Sequence, residues 1–124
     1  MKAAIVVLSD PVHGGEESRA RLINALAAAY DFKQRGEEVS VLFQGAGVRW
    51  IGELNQPDHP LASLYQAVRE KVRGASCECA NVFGATETVQ KNGVTLLAEN
   101  PVPGTSGVAS LAGLMAEGYQ ILTF

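Results

Sequence analysis

Cysteine, histidine and aromatic residues are all scarce: two cysteines, two histidines and 6% aromatics in 124 residues. In a reducing compartment two cysteines rest as free thiols, which argues against a permanent structural disulfide. A four-ligand zinc site would consume both thiols and both imidazoles, Cys77, Cys79, His13 and His59, so no metal is assigned. Excess charge of either sign is also missing. The formal net charge is −3 and the ten Lys and Arg are scattered, so no basic stripe exists to neutralise phosphates and nucleic acid is not an expected partner. Long apolar runs are absent too. The N-terminal run ends at Ser9-Asp10-Pro11, far too short to span a bilayer, and has no small-residue cleavage site. The expectation is a cytoplasmic protein without membrane attachment, whose two thiols rest reduced.

What is present is apolar content, 47% of the chain. That supplies one core, and a single domain over residues 1–124 is expected. Residues 3–8 form a continuous apolar run bounded by turn residues, the pattern of a strand buried on both faces. From 16 to 35, Leu22, Ile23, Leu26, Ala29 and Tyr30 keep helical spacing before a Gly36 stop. Residues 38–43 make a second strand, and 48–54 a short helix or turn. Pro60 can open a helix through Leu61, Leu64, Tyr65, Val68 and Val72, with Gly74 as its end. A third strand is placed at 75–79, a helical stretch interrupted at Gly84 over 80–91, and a fourth strand at 94–97 after Asn92-Gly93. The Pro- and Gly-bearing segment 99–107 is a surface loop near the length where loops become functional. A helix at 108–117 and a strand at 119–124 complete the chain. Their apolar side chains, Val108, Leu111, Leu114, Met115, Tyr119 and Phe124, are set aside as core or subunit contact.

Strands alternating with helices imply a parallel sheet sandwiched by its crossovers. In such sheets the loops leaving the carboxyl ends of the strands gather on one rim, where ligands bind. That brings together Asp10 to Gly15, the Gly45-Ala46-Gly47 turn and the Cys77-Glu78-Cys79-Ala80-Asn81 segment. A cysteine at a strand end, facing the first turn of a helix, meets unpaired amide groups that favour the nucleophilic thiolate. Small cysteines are equally common as core filler. If 77–79 stay extended, both sulfurs share a face with Cα atoms about 6.5 Å apart, near the limit for a strained, reducible disulfide. His13 can take a proton from a thiol or bind an anion, and a solvated loop histidine is the ordinary alternative. Asp10 can orient His13 or cap the first helix, capping being commoner. Gly45 and Gly47 resemble a phosphate-cradling turn without matching the dinucleotide or P-loop spacing. Arg49 and Trp50 can hold an anionic or planar ligand, or meet another subunit, and the lone tryptophan favours the interface.

Five segments carry a family resemblance: Ala4-Ile5-Val6-Val7-Leu8-Ser9-Asp10, Gly14-Gly15-Glu16-Glu17, Phe43-Gln44-Gly45-Ala46-Gly47-Val48, Cys77-Glu78-Cys79-Ala80-Asn81-Val82-Phe83-Gly84 and Gly118-Tyr119-Gln120-Ile121-Leu122-Thr123-Phe124. Together they resemble the DsrE/DsrF-like proteins along nearly the whole chain. The resemblance implies a three-layer α/β/α fold with a five-stranded parallel sheet in the order 4-3-2-1-5, and homo-oligomers such as trimers or hexamers. It also implies a cysteine-based sulfur relay, because characterised relatives in sulfur oxidation and transfer-RNA thiolation carry a persulfide on a cysteine of this region. Such a protein passes sulfur between donor and acceptor proteins and needs no cofactor. Cys79 fits the carrier position best, just before Ala80-Asn81, with His13 assisting and Cys77 as an extra thiol able to resolve the persulfide or replace it. The alternative is a non-catalytic oligomeric module whose rim residues, Asp10, Gly45, Gly47, Arg49, Trp50 and Asn81, bind a small ligand. A dithiol switch is a third reading from the spacing alone.

Overall fold

The computed structural model describes residues 1–124. Its centre is a five-stranded, all-parallel sheet in the order β4-β3-β2-β1-β5. Strand β1 (Lys2–Val7) is an inner strand, paired with β2 (Glu38–Phe43) at the centre on one side and with the edge strand β5 (Gln120–Thr123) on the other. Ala3 to Val7 are all buried, as an apolar run covered on both faces requires. Because side chains alternate, Ala3, Ile5 and Val7 enter the larger core and Ala4 the smaller one on the opposite face.

Helix α1 (Gly15–Gln34) covers the larger core with Leu22, Ala25, Leu26 and Ala29, a stripe at offsets of three, four and seven. Glu16 and Glu17 in its first turn and Lys33 in its last complement the helix dipole. Gly36, at φ +71°, reverses the chain into β2. A 3-10 turn (Gly45–Arg49) and α2 (Trp50–Leu54) follow, then α3 (Ala62–Val68).

Helix α3 stops six residues before the expected Gly74. A 3-10 turn over Arg69–Lys71 intervenes, and β3 runs over Val72–Ser76. Gly74 lies inside that strand. A Cβ there would stand 2.5 Å from the Thr95 carbonyl oxygen and 2.7 Å from Leu97 Cγ, so this glycine admits the β4 segment instead of capping a helix. The third strand therefore starts and ends three residues earlier than expected, and residues 77–79 are helical, not extended.

Helix α4 (Cys77–Val82) and α5 (Thr86–Lys91) are separated at Gly84, φ +66°. Strand β4 (Leu96–Leu97) is short, and α6 (Leu111–Ala116) leads into β5. The second layer is thin: α6 and its preceding loop cover Ala4, Leu42, Leu97, Ala109, Leu114 and Tyr119. Most of the terminal apolar residues are thus used within the chain, while Met115 stays 63% exposed. No helix is long and apolar enough to cross a membrane.

Candidate functional site

The carboxyl rim carries two separate groups of residues where one convergent site was expected. The first surrounds the start of α4. Ser76 ends β3 fully buried, and its hydroxyl accepts the Ala109 amide at 3.3 Å. Cys77 and Cys79, both half-buried and unbridged, then occupy the first helical turn. Two positions along a helix place their side chains about 200° apart around the axis. Cys79 packs with Phe83 against the larger core, beside fully buried Ala80. Cys77 stands on the flank it shares, one turn on, with Asn81. A Cys77–Cys79 disulfide would require this turn to unwind, which removes the geometric basis of the dithiol switch.

The loop expected to be functional folds back over that turn. The Glu78 amide donates to the Gly107 carbonyl at 2.8 Å. The Glu78 carboxylate accepts the Ser106 amide at 3.1 Å and its hydroxyl at 2.9 Å. Asn81 donates to Ser106 Oγ at 2.8 Å and accepts the Thr86 hydroxyl at 2.6 Å. These bonds, with the Ser106 amide first among the causes, hold the Glu78 carboxyl below its ordinary pKa. The Glu78 amide is therefore committed to the loop and not free to face a sulfur. Glu78, Ser106 and Thr86 were not singled out in the sequence. Their signal was a carboxylate between two thiols and a Ser-Gly pair ending the long loop.

The second group surrounds Arg49, at the other end of α4. The Arg49 Nε donates to the Phe83 carbonyl at 3.3 Å, its guanidinium lies 5.1 Å from the Phe83 ring centre, and Nη1 reaches Asp10 Oδ1 at 3.5 Å. Asp10 accepts the Val12 amide at 2.8 Å and faces His13 Nδ1 at 3.2 Å. The Val12 amide, then His13 and Arg49, keep the Asp10 carboxyl below its usual range. Helix α1 is closed by the Asp10 carbonyl, which accepts the Gly14 amide and the Ser18 hydroxyl. The carboxylate thus orients His13 and Arg49 and does not cap the helix, contrary to the commoner use. His13 is 78% exposed and its partner is Asp10, not a thiol.

Trp50 and the glycines have packing roles. Trp50 is 3% exposed, its indole donating to the Ser9 carbonyl at 3.0 Å, so the subunit contact assigned to it gives way to the core. Gly45 adopts φ +55° at the turn out of β2. A Cβ on Gly47 would fall 2.4 Å from the Val7 carbonyl oxygen, so Gly47 lets the 3-10 turn press against the end of β1 and does not open a phosphate cradle. No group of three or more potential metal-ligating side chains is found.

Sheet order and layering place the chain among three-layer α/β/α proteins. Within that class it belongs to the DsrE/DsrF-like family, which it matches over residues 1–124. It is 28% identical over 123 residues to an uncharacterized protein of Methanocaldococcus jannaschii, covering 98% of this chain and 94% of that one. A solved structure of a conserved protein of unknown function from Bacteroides thetaiotaomicron superposes with a TM-score of 0.66 at 18% identity, covering 99% of this chain and 94% of that one. That likeness supports the fold.

Proposed function

We propose that the chain is a sulfur-relay protein that carries a persulfide at the head of α4. The observation that carries this reading is the division of the two thiols by the helix, one against the core and one on the flank. Cys79, first choice from the sequence, takes the packing role, and Cys77 takes that of carrier. The Cys77 thiolate attacks the outer sulfur of a donor persulfide, R–S–SH. A new S–S bond forms at Cys77, the donor's S–S bond breaks, and the donor leaves as R–S⁻. The outer sulfur keeps its proton. An acceptor thiolate reverses the exchange and restores Cys77. No redox partner or cofactor is consumed. The Asp10–His13 pair is not needed for either step. The reading includes protein donors and acceptors, a reducing cytoplasmic setting and a homo-oligomer, trimer or hexamer. Exposed Val82 and Met115 are available for contacts between subunits or with those partners.

Intact-mass measurement after incubation with a small-molecule persulfide tests the assignment. Wild type and Cys79→Ala gain the mass of one sulfur, whereas Cys77→Ala gains none. Uptake by Cys77→Ala but not by Cys79→Ala would return the carrier role to Cys79. No uptake by wild type would remove the relay reading.

A further inference from the structure

A broad concavity of the molecule holds neither cysteine. It is a cleft of about 680 Å³ between the segment after β2 and the α4–α5 junction, within the size range of small-molecule sites. Gly52 lets its two walls meet, since a Cβ there would stand 2.7 Å from Thr88 Cγ2. Its lining mixes polar and apolar surface in similar shares, and three charged side chains set its character: Arg49, Lys91 and Glu53.

These charges are only partly compensated, Arg49 by its ion pair with Asp10 and the other two by none. Arg49 is fixed by Phe83 and Asp10 through Nε and Nη1, which leaves the other N–H groups of its fork uncommitted. Lys91 is exposed and takes part in no ion pair. Glu53 is likewise unpaired, and its Oε2 is shut off from solvent with no hydrogen-bond partner. A carboxylate that has already lost part of its hydration without gaining a donor profits more from an incoming ammonium than a fully solvated glutamate does. Two cations and one under-satisfied carboxylate in one cleft call for a ligand carrying both signs.

We infer that this cleft is a binding site for a small α-amino-acid-like zwitterion. The ligand carboxylate meets the free N–H groups of Arg49 and the Lys91 ammonium, and its own ammonium meets the other carboxylate oxygen of Glu53, Oε1, on the cleft side. Gln56 at the same cleft supplies a neutral donor and acceptor, and the Phe83 wall accepts an apolar side chain. This inference does not depend on sulfur transfer at Cys77.

Titration calorimetry on the full chain tests it with four probes: L-methionine, its amide, its deamino acid and inorganic phosphate. L-methionine binds, and the amide and the deamino acid, each lacking one charge, bind at least about tenfold more weakly. Lys91→Glu, at an exposed position without an ion pair, weakens L-methionine about tenfold while circular dichroism is unchanged. Glu53→Gln abolishes the preference for L-methionine over its deamino acid. Phosphate or the deamino acid binding as tightly as L-methionine would overturn the zwitterion assignment. Absence of heat for every probe at millimolar concentration would overturn the site.

Discussion

The two ends of α4, a helix of only six residues, are built in opposite ways. Its first turns are tied to one long loop, the helix's own Glu78 and Asn81 gripping Ser106 of the loop, with two thiols on different sides of the first turn. Its end is held by a cation, Arg49, which binds the Phe83 carbonyl and reaches back to Asp10 after β1. A single strand-to-helix crossover therefore separates a sulfur-bearing end from a charged cleft. Residues that converge on one rim by topology need not share one site. Three substitutions probe that separation.

The largest effect is expected at Gly47. Gly47→Ala drives a Cβ toward the Val7 carbonyl, a contact of 2.4 Å without relaxation, and overpacking of this kind costs about 1–3 kcal/mol. Chemical denaturation measures the loss. The same variant displaces Arg49 and weakens ligand binding in the cleft, while sulfur uptake per folded molecule stays at the wild-type level. Equal damage to both would show that the two ends are one site.

A smaller, local effect is expected at Glu78. Its carboxyl is held low by Ser106, so the contribution of that grip is complete above the ordinary carboxylate value of 4.5 and fades as pH falls below it. Amide exchange at Ser106 and Gly107, compared between neutral pH and pH below 4.5 and corrected for intrinsic rates, should show the loop opening in acid. Glu78→Gln should open it at neutral pH without altering cleft binding. Protection of Ser106 that is indifferent to both changes would remove Glu78 from this account. The smallest effect is expected at His13, which is solvated and paired with Asp10. His13→Ala should leave the extent of sulfur uptake unchanged, and a large loss would bring the histidine back to the thiols.

Much of the fold was legible because its signals are local. The buried run of β1, the stripe of α1, the β2 run and the glycine stops at Gly36 and Gly93 depend on neighbours in sequence. The β3 frame was lost because glycine has two uses that look alike in a sequence. Gly36 bends the chain by its positive φ, whereas Gly74 makes room for Thr95 and Leu97, more than twenty residues away. That error carried Cys77 and Cys79 into an extended segment and put both sulfurs on one face. Trp50 was misassigned for a similar reason, since its indole partner, the Ser9 carbonyl, lies across the fold. The thiols, Asp10, His13 and Arg49 were legible as residue types. Their division into two groups follows from where α4 begins, and the loop bonds from Ser106 to Glu78 and Asn81 span more than twenty residues.

The most direct measurement is the position of the transferred sulfur. Trypsin cleaves after Arg73 and Lys91, releasing residues 74–91 with both cysteines in one peptide. Fragment ions that break the chain between them assign the added sulfur to one side. The account predicts the extra mass on fragments containing Cys77 and not on those containing Cys79 alone. Sulfur found on Cys79 would contradict it, because the thiol packed against the core would then be the one that reacts.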